Sequence, residues 1–254
     1  MFLKKEASMD NSTENKILIT GIAGEIGGYI AREYVKKNWT VFGLDKKVMG
    51  ESADIGLVFR QCDLTSFQET AKKIDELVET VGSFDVVVNC AGLIANSPLI
   101  SFSDGQLVYH DFKLWEAVIA SCLSSAFYTT ACTVKHMLEA RKKGVIINIS
   151  SICAAGNPGQ AAYSTAKAGL NGLTRALAKE IGPLGIRVVG LSPGFFDTKS
   201  TKQNLSPEKL KNITSAIPLK RLGQLDEIVS TIQYIIENEY INGKIIELDG
   251  GLVI

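Results

Sequence analysis

The sequence is poor in the residues that build disulfide frameworks and metal sites. Among its 254 residues are five cysteines and two histidines. The number of cysteines is odd and no two have the C-x-x-C spacing, which argues against a disulfide framework or a zinc site. His110 and His136 lie too far apart to form a local metal motif. We therefore expect no metal, and free thiols buried in a reducing compartment.

An excess of charge of either sign is also missing. Lys and Arg together number 27, as do Asp and Glu, so the formal net charge is zero and no nucleic-acid-binding surface is expected. No run of about 18 apolar residues occurs, so no membrane span is expected. Residues 1–15 are polar and charged and lack the apolar core of a secretory signal. We interpret them as a polar N-terminal tail of a cytoplasmic protein.

From Lys16 onward, apolar strand-like runs alternate regularly with helical patterns. Runs such as 86–88 and 145–147 are apolar at every position, as in central parallel strands with both faces covered. Stretches such as 66–81 and 115–141 have apolar residues at helical spacing. The alternation predicts one α/β domain over residues 16–254, with a seven-stranded, mostly parallel sheet covered on both faces. The predicted strands are Lys16–Thr20, Thr40–Leu44, Val58–Cys62, Asp85–Asn89, Val145–Ser150, Arg187–Leu191 and Lys244–Leu248.

A glycine-rich segment, 20–28, joins the first predicted strand to a helical pattern. A strand, a glycine turn and a helix direct backbone N–H groups at a helix N-terminus, where a pyrophosphate can bind. The spacing predicts a doubly wound Rossmann domain in which Gly21, Gly24, Ile26 and Gly27 contact a dinucleotide.

Asp45 ends the second predicted strand, roughly twenty residues beyond the glycine segment, where a carboxylate can accept hydrogen bonds from the adenosine ribose. The same carboxylate would repel a 2′-phosphate, which favours NAD over NADP. Lys46 and Lys47 follow directly, and their positive charge would tolerate the extra phosphate, so NADP stays open as the less favoured cofactor.

Five further motifs follow in order: residues 89–92 (NCAG), 163–167 (YSTAK), Pro193-Gly194, and the C-terminal segments 241–244 and 248–251. In order and spacing these motifs resemble the shorter subfamily of the short-chain dehydrogenases/reductases, over residues 16–254. The stretch 156–163 is especially similar to the β-ketoacyl-carrier-protein reductase branch, which is too large to fix a substrate.

The resemblance implies roles for particular residues. It makes Tyr163 and Lys167 catalytic, and also cofactor-binding, and it adds a serine at the end of the fifth predicted strand. Thr198 would bond the nicotinamide carboxamide, and Asp63 and Leu64 would contact the adenine. The remaining cofactor contacts that it implies are Asn89, Ala91, Gly92, Pro193, Gly194 and Phe196.

The chemistry of hydride transfer explains the Tyr–Lys pair. Transfer to or from a carbonyl carbon requires a proton at the oxygen. Tyr163 and Lys167 are four residues apart, so they share one helix face. A free tyrosine has a pKa of about 10, and lowering it by ~3 units needs about 4 kcal/mol. A nearby ammonium at an effective dielectric of ~20 supplies roughly that amount.

Two neighbouring serines compete for the catalytic position. Ser150 lies thirteen residues before Tyr163, a frequent spacing in the family, whereas alignment of the strand itself selects Ser151. Side chains alternate faces along a strand, so only one of the two can point into the site. We favour Ser151, because a loop absorbs a one-residue deletion more easily than a buried strand does.

Three residues depart from the family pattern. Glu25 stands where the subfamily has a glycine, near the expected phosphates, and we expect its side chain to point outward. Cys122 stands where the family has an asparagine that helps to hold a water linking the lysine to solvent, and a thiol cannot copy an amide. We interpret Cys122 as a small buried residue in a helix kink, with Ser121, Ser124 or backbone carbonyls as substitutes in the relay. Cys90 replaces a second asparagine.

Three functions are compatible with these observations. The favoured one is an NAD(H)-dependent oxidoreductase that interconverts an alcohol and a ketone. The second is an NADPH-dependent 3-oxoacyl thioester reductase, which Asp45 opposes. The third is a cofactor-binding scaffold or sensor of low turnover, suggested by Cys122 and Glu25. The substrate should enter over a lid formed by residues 195–218, and the resemblance implies a homo-oligomer, a tetramer or dimer, that pairs the helices over 115–141 and 161–181.

Overall fold

The computed structural model describes residues 15–48 and 56–253, so most of the expected N-terminal tail lies outside the described residues. The strands are β1 Lys16–Thr20, β2 Thr40–Asp45, β3 Leu57–Gln61, β4 Val86–Asn89, β5 Ile100–Ser103, β6 Gln106–Tyr109, β7 Gly144–Ile149, β8 Ile186–Pro193 and β9 Ile245–Leu248. The helices are α1 Glu25–Lys36, α2 Phe67–Val81, α3 Phe112–Ile119, α4 Ser125–Glu139, α5 Ala161–Ile181, α6 Lys199–Asn204, α7 Pro207–Ala216 and α8 Leu225–Glu237.

Seven of the strands form one parallel sheet in the order β3-β2-β1-β4-β7-β8-β9. The predicted α/β fold with a seven-stranded parallel sheet and covering helices is confirmed, and each of the seven predicted strands overlaps an observed one. The chain runs outward from β1 to β3 and then returns to place β4 on the other side of β1. This reversal of strand order opens a crevice at the carboxyl ends of β1 and β4, where doubly wound sheets bind their ligands.

The core has two layers because successive side chains of the buried strands point to opposite faces of the sheet. On one face, Ile17 and Ile19 of β1 pack with Ile30 and Tyr34 of α1. On the other face, Leu18 packs in the layer that α2 and α4 cover. Burial of each such side chain contributes roughly 1.5–3 kcal/mol, so the layers hold the carboxyl edge of the sheet rigidly.

Helices α3 and α4 form one continuous helical stretch interrupted by a π-helical turn over Ala120–Ser124. Residues 112–139 are long and apolar enough to span a bilayer, but half of the most apolar window is buried inside the fold. The stretch therefore packs against the rest of the fold, as a core helix does. Cys122 lies within the π-turn and is buried, as the sequence predicts, and a π-turn is one of the irregularities at which helices kink.

A two-stranded antiparallel hairpin, β5–β6, was not predicted from the sequence. Its turn is Asp104-Gly105, with φ of 51° and 77°, and Asp-Gly is a strong hairpin signal because both central residues adopt positive φ. The apolar residues of the hairpin do not follow the pattern of a strand with one buried face. Phe102, Leu107 and Tyr109 are 73–75% exposed. The hairpin lies between β4 and α3, outside the main sheet.

Candidate active site

The glycine segment and the loop after β4 are held together at the carboxyl edge of the sheet. Gly21 has φ of 69°, and a Cβ there would lie 2.7 Å from the Ala91 Cα. The Thr20 hydroxyl accepts hydrogen bonds from the N–H groups of Cys90 and Ala91, at 3.1 and 3.2 Å. A Cβ on Gly27 would lie 2.4 Å from the Gly21 carbonyl oxygen. Only glycine fits at positions 21 and 27, since the opposing atoms belong to the backbone.

This loop has the shape that a dinucleotide pyrophosphate requires. Ala23 and Gly24 are exposed, and Gly24 is the N-cap of α1 without a capping side chain. The first N–H groups of a helix have no partner within it and are available to an anion. The glycine turn therefore presents exposed backbone and an uncapped helix N-terminus, which fit the pyrophosphate of a dinucleotide.

Asp45 lies at the end of β2 beside the glycine segment. Its Oδ2 accepts a hydrogen bond from the Ala23 N–H at 3.0 Å, and its Oδ1 accepts one from the Lys47 N–H at 2.9 Å. The carboxylate is thus fixed against the loop that would carry the phosphates. Lys46 and Lys47 follow it in the chain, and the backbone of Lys47 folds toward the carboxylate.

The sequence predicts that the side chain of Glu25, the first residue of α1, points outward. In the structure it does not project freely into solvent. It is half-buried, and its carboxylate accepts hydrogen bonds from the backbone N–H of Lys199 at 2.9 and 3.0 Å and of Ser200 at 3.4 Å. These two residues begin α6. The side chain therefore connects the glycine segment to α6, which is 174 residues away along the chain and lies in the segment predicted to form a lid.

Ser151 and Ser150 have different surroundings. The Ser151 hydroxyl accepts a hydrogen bond from the Cys153 N–H at 3.1 Å and also hydrogen-bonds Tyr163. The Ser150 hydroxyl donates to the Lys167 carbonyl at 3.4 Å, within the backbone of α5. Of the two serines, Ser151 is the one whose hydroxyl meets the tyrosine, as alternation along the strand requires.

Tyr163 and Lys167 lie one turn apart on α5 and are buried, with 7% and 4% of their surfaces exposed. The Lys167 Nζ lies 5.6 Å from the centroid of the Tyr163 ring and donates a 2.7 Å hydrogen bond to the Ile149 carbonyl at the end of β7. The lysine is therefore anchored to the sheet edge and faces the tyrosine. Ser151, Tyr163 and Lys167 meet in one place.

Burial raises the pKa of the Tyr163 hydroxyl above its ordinary value. The neighbouring Cys122 and Cys153 thiols raise this pKa further, whereas the hydrogen bond from Ser151 lowers it. In the protein by itself, the pKa of Tyr163 is therefore raised rather than lowered, and the lowering expected from Lys167 is not found. The phenol is held in its protonated form, which is the form that donates a proton.

Cys122 lies in the π-turn against the loop after β4. Its Sγ accepts a hydrogen bond from the Leu93 N–H at 3.2 Å and donates to the Leu93 carbonyl at 3.5 Å. A Cβ on Gly92 would lie 3.2 Å from the Cys122 Sγ and 3.8 Å from the Lys167 Nζ. The thiol thus ties the kinked helix to the loop beside the lysine. The hydroxyl of Ser121, expected as a substitute in the relay, donates to the Val118 carbonyl at 3.3 Å.

Asn89 points into a buried polar network. Its Nδ2 donates to the Thr130 hydroxyl at 3.0 Å and to the Asn148 Oδ1 at 2.9 Å, and the Asn148 Nδ2 donates to the Thr174 hydroxyl at 2.9 Å. The network joins β4 and β7 to α4 and α5. The amide nitrogen of Asn89 is therefore engaged within the fold, and its Oδ1 is buried without a hydrogen-bond partner among the described residues.

The other expected cofactor residues lie at the same edge of the sheet. Asp63 follows β3, and the hydroxyl and N–H of Thr65 lower its pKa by hydrogen bonding. Gly194 is pressed against β9, since a Cβ there would lie 2.8 Å from the Asp249 Cα. Phe196 is buried in the core, and Thr198 is the N-cap of α6. Leu64, Ile26 and Pro193 are buried or half-buried beside them.

Sequence reasoning missed three contacts: the bond from Glu25 to the lid, the pair of N–H groups held by Thr20, and the Cys122–Leu93 pair. Each of these contacts joins residues that are distant in the chain, and no local sequence pattern predicts such a contact. Thr20 had a signal, since it ends a buried strand directly before the glycine turn.

Comparison with known proteins agrees with this geometry. A family model described as enoyl-(acyl carrier protein) reductase matches residues 21–253. The chain is 34% identical over 253 residues to a 3-oxoacyl-[acyl-carrier-protein] reductase of Buchnera aphidicola, covering 95% of this chain and 98% of that protein. It is 34% identical over 250 residues to an acetoacetyl-CoA reductase of Allochromatium vinosum, covering 92% and 97%. A 3-hydroxyacyl-CoA dehydrogenase type-2 of Bos taurus is 33% identical over 252 residues, covering 92% and 94%.

Proposed function

Since the chain belongs to the short-chain dehydrogenase/reductase family and is an NAD(P)-dependent oxidoreductase, we propose that it uses NAD(H) to interconvert an alcohol and a ketone. The observation that carries this proposal is the meeting of Ser151, Tyr163 and Lys167, next to the loop after β4. A hydroxyl donor, an acid and an ammonium within reach of one carbonyl oxygen are what this proton transfer needs.

Each of the three side chains has its own task. When bound, the nicotinamide cofactor supplies or accepts the hydride. The Tyr163 hydroxyl gives a proton to the carbonyl oxygen during reduction, and its phenolate removes a proton from the alcohol during oxidation. Ser151 donates a hydrogen bond that holds that oxygen beside the phenol. Lys167, anchored on the Ile149 carbonyl, stabilises the phenolate that remains after proton donation.

The cofactor would be held along the carboxyl edge of the sheet. Backbone groups of the glycine segment would hold the pyrophosphate, Asp45 the adenosine ribose, and Thr198 the nicotinamide carboxamide. The other proposed contacts are Asp63, Leu64, Asn89, Ala91, Gly92, Pro193, Gly194 and Phe196. Asp45 supports NAD because its carboxylate, fixed by the Ala23 N–H, would repel a 2′-phosphate.

The cofactor preference is tested by fluorescence titration of the purified protein with NADH and with NADPH. We expect tighter binding of NADH, and we expect Asp45→Ala to narrow the difference. Tighter binding of NADPH would overturn the role of Asp45 and favour the NADPH-dependent thioester reductase. Binding of neither would contradict the proposed cofactor site.

A 3-oxoacyl thioester is the ketone to test first, because relatives that cover nearly the whole chain are named as reductases or dehydrogenases of such thioesters. The test is the reduction of acetoacetyl-CoA, which is monitored through the loss of NADH absorbance. Tyr163→Phe is the matched variant. The substitution removes only the hydroxyl. We expect the unsubstituted protein to reduce acetoacetyl-CoA and Tyr163→Phe to abolish this activity. Activity that remains in Tyr163→Phe would overturn the mechanism.

We further propose a cytoplasmic homo-oligomer, a tetramer or dimer, that pairs the helices over 115–141 and 161–181. The exposed face of α5 carries small residues, including Thr165, Ala168 and Gly172, which let another helix approach closely. Phe112 and Phe127 are exposed on the neighbouring helical stretch. Burial of such side chains between subunits supports association.

A further inference from the structure

The start of the lid is held by a side chain from the far end of the chain. Helix α6 has six residues, too few for an isolated helix to be stable in water. The first N–H groups of any helix lack partners within it and need acceptors from elsewhere. In α6 the Thr198 hydroxyl accepts the Thr201 N–H at 3.0 Å, which satisfies one of them.

Glu25 provides the acceptor for two other N–H groups at the start of α6. Its carboxylate accepts the N–H groups of Lys199 and Ser200, at 2.9–3.0 and 3.4 Å. It does so from the first turn of α1, the helix whose N-terminus faces the proposed pyrophosphate. A charged acceptor forms stronger hydrogen bonds than a neutral one, and a negative charge at a helix N-terminus is favourable. One carboxylate therefore ties the lid to the cofactor loop.

We propose that Glu25 is a positioning residue that latches the start of the lid onto the glycine segment. The latch fixes Thr198, the residue directly before α6, relative to the helix that would hold the cofactor. Closure over the nicotinamide end of the site then depends on a residue at the pyrophosphate end. The catalytic consequence rests on the proposed function, whereas the latch itself does not.

Limited trypsin digestion of the protein without cofactor or substrate tests the latch. Lys199 and Lys202 are the cleavage sites within α6. We expect Glu25→Ala to accelerate cleavage there about fivefold or more, the effect of losing a helix cap, and Glu25→Gln to have a smaller effect because its amide oxygen still accepts. Glu33→Ala, which removes the same charge from the other end of α1, is the matched control.

The fragments are identified by mass, which separates local opening of the lid from global unfolding. Cleavage at Lys199 and Lys202 that is unchanged in Glu25→Ala, or accelerated equally in Glu33→Ala, would overturn the latch. With acetoacetyl-CoA and NADH, we expect Glu25→Ala to lower kcat by a larger factor than it raises the Kd for NADH. An unchanged kcat would overturn the positioning role. Absence of turnover in the unsubstituted protein, with faster cleavage in Glu25→Ala, would instead refute the proposed function and leave the latch standing.

Discussion

The Tyr163 phenol is buried, and its surroundings set its pKa. This pKa affects ketone reduction and alcohol oxidation differently. Burial and the Cys122 and Cys153 thiols raise its pKa, and Ser151 only partly opposes them. Reduction of a ketone requires the protonated phenol, which a raised pKa preserves as the pH rises through neutrality. Oxidation of an alcohol requires the phenolate, whose fraction grows with pH.

The pH dependence should therefore differ between the two directions. We expect the rate of ketone reduction to stay level from about pH 6 to 8, since both values lie below the ordinary tyrosine pKa of about 10. We expect the rate of alcohol oxidation to rise with pH over the same interval. Initial rates in both directions across this range check the prediction. A reduction rate that falls steeply through neutral pH would contradict it.

Cys122, where the family resemblance implies an asparagine, links the π-turn to the loop after β4. Its thiol makes two hydrogen bonds to the backbone of Leu93, one as acceptor and one as donor. An amide also has one acceptor and one donor group, and both form stronger hydrogen bonds than sulfur does.

Two substitutions separate the packing role of Cys122 from its hydrogen bonds. We expect Cys122→Asn to preserve folding and to raise kcat, because an amide can make both bonds to Leu93 more strongly. We expect Cys122→Ala to lower the free energy of unfolding by about 1–3 kcal/mol, since it removes both hydrogen bonds to the Leu93 backbone. Urea unfolding and turnover of acetoacetyl-CoA measure the two effects. A stable Cys122→Asn protein with a lower kcat than the unsubstituted enzyme would contradict the expectation.

At the scale of elements, the junction between β1 and α1 depends on close backbone contact. A Cβ at Gly27 would meet the Gly21 carbonyl oxygen at 2.4 Å, whereas at Gly28 the nearest atom, the Ile22 carbonyl oxygen, would lie 3.1 Å away. Both glycines are buried on the same helix. The same substitution, glycine to alanine, can therefore be compared at Gly27 and at Gly28.

We expect Gly27→Ala to push α1 away from the glycine turn, to cost about 1–3 kcal/mol of stability, and to weaken NADH binding at least tenfold. Gly28→Ala should have a smaller effect on both quantities, because its neighbour needs to yield by only a few tenths of an ångström. Thermal unfolding and NADH titration of both variants provide the comparison. Equal NADH affinities for the two variants would contradict the assigned role of Gly27.

The same junction indicates what sequence alone could predict. The glycine segment, the buried parallel strands and the Tyr163–Lys167 pair are local patterns. Their order along the chain predicted the sheet and the grouping of Tyr163 with Lys167. The hairpin was missed because its apolar residues face solvent rather than a core. The Glu25–Lys199 and Cys122–Leu93 contacts were missed because they depend on how separate elements meet.

At the scale of the whole molecule, α5 has two functions to serve. Its buried face carries Tyr163 and Lys167, and its exposed face is the one proposed to meet another subunit. An interface there would hold the catalytic helix from outside, opposite the sheet that holds it from inside. Oligomerisation and the geometry of the proposed site would then be linked.

Ala168→Arg tests this link, because the side chain faces solvent in a single subunit and an arginine there leaves the monomer's core unchanged. We expect light scattering to show a tetramer or dimer for the unsubstituted protein and smaller species for Ala168→Arg, since an unpaired charge in an apolar interface is costly. Thr80→Arg, at an exposed position on α2, is the matched control and should leave the mass unchanged. A monomeric unsubstituted protein would refute the proposed assembly, and so would an unchanged mass in Ala168→Arg. If the catalytic helix depends on the interface, kcat of Ala168→Arg should fall at concentrations where its subunits separate, while that of Thr80→Arg should not.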